Sequence, residues 1–463
     1  MSDSNVNAFT EGPLGRIFLK TTLPIVLVMS MNGLLTVADA LFLGVYVGPD
    51  ALASVTLMFP AYMLIVALST LVSSGMSSLL ARALGAQELD RAQAIFSGAH
   101  GLALLLGACL IALYLLLGEK AVLLAAGGSV MLAEMGDVYL RIMVFSSPLV
   151  FVLSVNSDAL RNEGRVGFMA AMSLMVSLAN ILFNYVLIAQ LSWGVAGSAF
   201  GTVFAQLLAL VLIVGFRVKG QTQLRFNTLA RYRLTSAWRS IFALGAPQSL
   251  SFVGLALSSA TIVFAVQMVG SGNYENTISA YGIITRVITF VYLPLLGLSF
   301  AMQSIAGNNF GAKLWLRSNK SFMIAFKVAL IYGLFSQWVL GSFAEPIAGY
   351  FVDDLLVISE VARIMPVMVL AFFVAGPLIM ISSYFQAIGD VKRAAVLALS
   401  KPFIFAIPLT LILPFGVGEW GIWIAGPLAE MLLLLLTVWV LLFAARHSQL
   451  KWGLFMSEQE QSS

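Results

Sequence analysis

Apolar runs of roughly 20 to 30 residues, each long enough to carry a helix across about 30 Å of hydrocarbon, recur from one end of this 463-residue chain to the other. That leaves few folds open, because a segment in lipid must satisfy its backbone hydrogen bonds within itself or in a closed barrel. Barrel strands need only about 9 to 11 residues, so runs of this length predict helices. Twelve are expected, near 17–47, 51–81, 92–117, 132–160, 167–190 and 194–216, then 237–270, 276–305, 320–345, 354–388, 393–415 and 420–445. Composition agrees: 60% of residues are hydrophobic and 10% charged, against about 25% charged in an ordinary soluble domain. The first run is too long for a signal peptide and has no small-residue cleavage site, so it is expected to stay as a span. The longest polar stretches lie near 216–240 and after Arg446, which leaves no room for a soluble catalytic domain.

The chain also repeats itself. Arg141-Ile142-Met143 returns as Arg363-Ile364-Met365, 222 residues later. Gly85-Ala86 with Arg91 echoes in Gly311-Ala312 with Arg317, Trp193-Gly194 in Trp420-Gly421, and Leu23-Pro24 in Ala246-Pro247, at offsets of 226, 227 and 223. One slowly drifting duplication accounts for all four pairs. Six spans per half is an even number, so the halves point the same way, about an axis along the membrane normal, and such symmetry usually frames a pathway between repeats. The expected fold is therefore an all-α integral membrane protein: twelve transmembrane helices in two six-helix lobes related by a parallel pseudo-two-fold repeat. The lobes are expected at 1–216 and 241–446, with a connector at 217–240 and a cytoplasmic tail at 447–463.

Alternating loop faces put nineteen Lys and Arg residues, from Arg16 and Lys20 to Arg446 and Lys451, on one side and only Lys120 on the other. The positive-inside rule then places both termini in the cytoplasm, in a membrane of the bacterial inner (plasma) type. The net charge of +4 reflects that topology, not affinity for nucleic acid. Cys109, the single cysteine, excludes an intramolecular disulfide and is expected to pack. His100 and His447 are the only histidines, and HExxH, GxSxG and clustered cysteines are absent, so an enzyme is not expected.

An acidic side chain within hydrocarbon is costly and usually marks an ion or proton path. Asp39 is the clearest case, eight residues before Val47 and so about 12 Å inside the outer end of its helix. Burial disfavours a charged carboxylate, which suits an acid that exchanges a proton. In the fifth span Ser173, Ser177, Asn180 and Asn184 follow one another at steps of three and four, a polar stripe along one helix face that either binds or only packs. Glu430, deep in span twelve, is a candidate contact for a cationic substrate. Asp158 stands beside Arg161, where a solvated ion pair is the stronger expectation. Asp137 with Arg141, and Glu360 with Arg363, are spaced to pair locally. Arg286, Lys327 and Lys401 have no sequence-local acid. Pro24 and Pro247 are expected to begin the first span of each half, and several other prolines to bend theirs.

Leu23-Pro24, Asp39 within Ala-Asp-Ala-Leu-Phe-Leu-Gly, Tyr139-Leu140-Arg141-Ile142, and Gly194 to Thr202 resemble multidrug and toxic compound extrusion (MATE) transporters. In the second half, Pro294 with Gly297, the stretch Gln303 to Ala312, Phe385 to Asp390 and Ala425 to Glu430 resemble the eighth, tenth and twelfth spans of that family. The acid at 39, without an acidic pair in spans seven and ten, looks more like the DinF and MepA-like branches than the sodium-coupled NorM branch. The resemblance covers about 16–446 and implies a secondary antiporter. Two six-helix lobes around a cleft would expel amphiphilic, chiefly cationic, organic compounds in exchange for H⁺ or Na⁺, with membrane lipid as surroundings, no cofactor and a monomeric state.

By the same resemblance Asp39, Asn180, Asn184 and Thr202 form the amino-terminal ion site, with Tyr139 beside them and Na⁺ as one occupant at Asp39 and Asn180. Glu430, Asp158 and Gln303 are the candidate substrate contacts. Many relatives have Asp where this chain has Asn184, which concentrates any coupling on Asp39. The alternative is a flippase for a lipid-linked saccharide precursor, whose cleft would need unpaired Arg or Lys to grip pyrophosphate.

Overall fold

Every stretch expected to cross the bilayer is helical in the computed structural model, which describes residues 7–126, 129–219, 222–269, 274–447 and 451–455. Among the described residues ten helices are long and apolar enough to span, and two further spans are bent pairs, Val130–Phe145 with Ser147–Asn162 at 48° and Leu355–Met368 with Phe372–Ile388 at 49°, giving up to twelve. These are spans four and ten, in corresponding places of the two halves. Each break has a proline close by, Pro148 in the first turn of one helix and Pro366 near the end of another. A proline withholds a backbone donor and crowds the turn before it, so the chain bends. Pro24 and Pro247, by contrast, lie inside the helices Leu14–Phe42 and Trp238–Val269 instead of opening them.

The chain divides into two compact units, Met1–Phe252 and Val253–Ser463. The boundary falls within span seven because the start of that helix packs on span two (Phe59–Gly85) inside the first unit. A Cβ on Gly245 would stand 1.8 Å from the Leu71 carbonyl oxygen, and one on Gly75 2.0 Å from that of Ile241, so the two backbones touch at glycine on both sides. The Ser249 hydroxyl donates to the Ala67 carbonyl at 2.7 Å along the same seam.

The first unit's core gathers Val72, Met76, Phe96, Phe151 and Ile241. Beside it the chain after span six folds back, and the wholly buried Arg217 ties it down. Its guanidinium donates to Glu163 at 2.9 Å, to the Asn156 side chain at 3.0 Å and to the Leu224 carbonyl at 3.0 Å, and lies over the Phe96 ring. Glu163 accepts the Leu224 N–H in return, at 2.8 Å. In the second unit residues 451–455 make the equivalent return: Phe455 meets Phe322 and Tyr384 edge to face, and Arg393 donates to the Gly453 carbonyl at 2.8 Å. Residues 451–455, within the stretch expected as the cytoplasmic tail, are thus packed structure. Cys109, expected to pack, is exposed instead, among the outward-facing Leu105, Leu113 and Leu116 of span three.

Candidate functional site: an acid among amides in the first unit

Span one does not end as a regular helix. Leu14–Phe42 passes into a π-helical turn, Leu43–Val47, and span five, Val166–Asn184, passes into another, Tyr185–Gln190. Such turns interrupt the regular hydrogen-bond ladder and recur at functional sites. Asp39 precedes the first by one turn, and Asn184 is the last α-helical residue before the second.

The polar stripe of span five faces inward. Asn180, Asn184 and Ser177 are buried, and Asp39 is half-buried beside them. Asn184 Nδ2 donates to Asp39 Oδ1. The hydrogen-bond network orients the Asn180 amide so that its nitrogen donates to the same oxygen at 3.1 Å, while its carbonyl accepts from the Thr202 hydroxyl at 3.1 Å and the Thr202 backbone N–H at 3.3 Å. Span six (Gly194–Val218) comes this close through Gly201, where a Cβ would lie 2.1 Å from Asn184 Oδ1. Tyr62 of span two and Tyr139 of span four stand within electrostatic reach of the carboxylate, and Tyr139 packs on Leu43, Ala51 and Val195.

Among the described residues no Lys or Arg pairs with Asp39. Two buried acceptors are also left over, since neither Asn184 Oδ1 nor the Ser177 hydroxyl has a hydrogen-bond partner. Buried polar atoms are normally satisfied, so an unpaired oxygen next to a carboxylate calls for an explanation. A proton on Asp39, or a small hard cation shared between carboxylate, amide and hydroxyl oxygens, fits the donor set. Among the described residues no three His, Cys, Asp or Glu side chains cluster as a metal centre.

Four of the sequence candidates therefore join Asp39 in one place: Asn180, Asn184, Thr202 and, less directly, Tyr139. Tyr62 was not foreseen, because a tyrosine in an apolar run carries no sequence signal. The other candidates lie elsewhere. Asp158 pairs with Arg161 at 2.8 Å as expected, but the pair is largely shielded, the arginine side chain being only 5% exposed, rather than solvated. Glu430 is not an open acid: the ammonium of Lys401 is seated on it, which neutralises the charge a cationic substrate would seek. Gln303 is buried between helices and donates to Gln386 at 3.2 Å. Asp137–Arg141 and Glu360–Arg363 pair as the spacing predicts, with Glu419 added to the second. Arg286 and Lys327 are exposed.

The MatE family model matches residues 24–186 and 247–412, once in each half. The two matches start 223 residues apart, at Pro24 and Pro247. Among curated proteins, the chain is 23% identical to an FAD transporter of Shewanella oneidensis, over 91% of this chain and 93% of that one. It is 22% identical to the multidrug export protein MepA of Staphylococcus aureus, over 93% and 94%. Among solved structures it superposes with a TM-score of 0.85 on an outward-facing MATE family transporter of the MOP superfamily, at 21% identity, covering 94% of this chain and 96% of that one. A match of the family model across most of both repeats is sufficient: the chain belongs to the MATE family of multi-pass membrane transporters, and it is not an enzyme.

Proposed function

We propose that this protein is a secondary antiporter that exports amphiphilic organic compounds, cationic ones among them, in exchange for H⁺ or Na⁺ bound at Asp39. The observation that carries the reading is an intramembrane carboxylate without a basic partner, facing two buried amides and an unsatisfied amide oxygen. An arginine or lysine fixed on Asp39 would make the acid structural; its absence among the described residues leaves the charge to be balanced by an ion that comes and goes. Asn180, Asn184, Ser177 and Thr202 position the carboxylate and offer further oxygens. Exchange requires the ion and the substrate to prefer different states of the carrier, so that binding one releases the other by alternating access. The loop charges support cytoplasmic termini, and a monomer suffices for the cycle.

The relatives named for FAD transport and for multidrug export differ in what they carry, so the site, not the name, has to argue the ion. A flippase gripping pyrophosphate is less well supported. Pyrophosphate calls for several converging cations, whereas Lys401 shares its charge with Glu430 and Lys327 shares a helix face with the exposed Ile331, Leu334, Phe335 and Trp338.

Proteoliposomes loaded with a fluorescent organic cation, given an inward H⁺ or Na⁺ gradient, test the antiport directly. Gradient-driven efflux is expected from the wild type and should vanish in Asp39→Asn while binding of the dye persists. Full gradient-driven efflux by Asp39→Asn would remove the carboxylate from the scheme.

A further inference from the structure

The second unit carries charge of its own at the corresponding end of its repeat. Spans five and eleven match through glycines of positive φ, Gly164 and Gly389, placed just before each helix at an offset of 225. Spans six and twelve match through Trp193 and Trp420 at 227. On that register Lys401 stands one turn before the counterpart of Asn180, and Glu430 one residue beyond that of Thr202. Like the acid site of the first unit, this one meets a π-helical segment, Ser400–Ala406, which holds Lys401 itself. Where the first unit gathers neutral amides around a lone acid, the second has a lysine on a glutamate.

The pair is not built as a closed structural bridge. Glu430 lies underneath, only 8% exposed, and among the described residues its Oε2 has no hydrogen-bond partner. Lys401 lies above, with 35% of its side chain exposed and one of its three N–H donors given to Glu430 Oε1. Tyr292 of span eight (Tyr274–Gly311) is within electrostatic reach of both charges. A bridge serving stability alone would be expected to satisfy its carboxylate and spend the lysine's donors, because half-satisfied buried networks are costly. Here the accessible member is the cation and the hidden member is its counter-ion.

We propose that Lys401 is a substrate-binding residue of the second unit, recognising the acidic group, carboxylate or phosphate, of a soluble amphiphile rather than a lipid headgroup, with Glu430 as its resident counter-ion when the site is empty. The free ammonium donors meet the incoming oxygens, and charge-assisted hydrogen bonds to an anion are the strongest this side chain forms. Glu430 competes with the substrate for the same ammonium, so the site grips acids moderately and releases them. This rests on the export reading above and extends its substrates from cations to amphiphiles that bear an acid.

Purified full-length protein titrated with three dansyl probes of one ring system tests it: dansylglycine as carboxylate, dansylcadaverine as amine, and N-ethyldansylamide as neutral. The wild type should bind dansylglycine roughly tenfold or more tighter than the neutral probe. Lys401→Met/Glu430→Gln, which removes both charges and avoids an orphaned acid, should erase that preference and leave dansylcadaverine unchanged. Glu430→Gln alone frees Lys401 from its competitor and should tighten dansylglycine several-fold, and Lys401→Arg should keep the preference; a purely structural pair would do neither.

The inference is overturned if the double variant retains the carboxylate preference, or if it weakens all three probes alike. It is also overturned if phosphatidylglycerol displaces dansylglycine while the soluble carboxylate N-acetylphenylalanine does not, which would assign Lys401 to a lipid headgroup. These measurements use no ion gradient. Absence of any dansylglycine preference in the wild type alongside intact dye efflux defeats this inference only, and failure of wild-type gradient-driven efflux with the preference intact defeats only the antiport reading.

Discussion

Gly201→Ala separates the proposed ion site from the stability of the fold. The new methyl carbon would stand 2.1 Å from Asn184 Oδ1 and 3.2 Å from its Cγ. Ordinary contact begins near 3.4 Å, so the Asn184 side chain must retreat by more than an ångström. It has nowhere to retreat without releasing Asp39, to which its nitrogen donates. One hydrogen bond to a charged group contributes about 1.5–3 kcal/mol, which corresponds to roughly a 10- to 100-fold loss in affinity for an ion whose site needs the Asp39–Asn184 geometry. The fold should barely notice: alanine is preferred over glycine in a helix by about 1 kcal/mol, which offsets part of the strain.

Gly215 lies in the same helix with nothing within 4 Å of its would-be Cβ, and Gly215→Ala serves as the control that receives the helix benefit without the clash. The assay is gradient-driven efflux from proteoliposomes at graded Na⁺ concentration and pH, beside thermal unfolding in detergent. Gly201→Ala should need at least tenfold more coupling ion for half-maximal efflux while its Tm stays within a few degrees of wild type. Unaltered ion dependence in Gly201→Ala, or an equal loss in Gly215→Ala, would refute the placement of Asn184 as the support of Asp39.

Arg217→Met should destabilise the first unit by about 3–5 kcal/mol, because it leaves Glu163 buried without its charge, and Arg217→Met/Glu163→Leu should recover most of the loss; melting curves of the three variants check this. Phe455→Ala should lower Tm through a loss of about 3–5 kcal/mol of packing against Phe322 and Tyr384, whereas alanine at the exposed Trp452 should change little. Gly245→Val should block the contact of span seven with span two at Leu71, seen as poor expression or a lowered Tm.

The lengths of the apolar runs were enough to reveal the spans, because hydrocarbon thickness sets that length directly. The bent pairs were legible only as prolines; whether a proline kinks a helix or sits quietly inside one, as Pro24 does, depends on what packs around it. Asp39, Asn180, Asn184 and Thr202 could be gathered because an acid and a polar stripe stand out in an apolar chain and match a family pattern. Lys401 and Glu430 could not be joined, being 29 residues apart on different helices, where no periodicity links them. Tyr62 and the return of Phe455 onto Phe322 carry no signal before the chain is folded, since aromatic residues are as common on lipid-facing surfaces as in cores.

The duplication explains why chemistry diverged between the halves while the backbone did not. Main-chain devices recur in register: Gly164 and Gly389 at positive φ, spans bent by 48° and 49°, and Phe96 and Phe322 each receiving an aromatic from the segment that returns after the last span of its half, Phe226 in one and Phe455 in the other. These features fix where helices cross, and a change in any of them would propagate through close packing. A side chain beside a π-helical turn is under less constraint, because the turn already interrupts the regular ladder and leaves room for a polar group. One copy there holds a carboxylate met by amide donors, the proposed seat of a small cation; the other holds an ammonium on a buried acid, the proposed seat of an anion. With opposite charges offered at the corresponding ends of the two repeats, single-site neutralisation should affect different ligands: Asp39→Asn the coupling ion, and loss of the Lys401 charge the acid-bearing substrates.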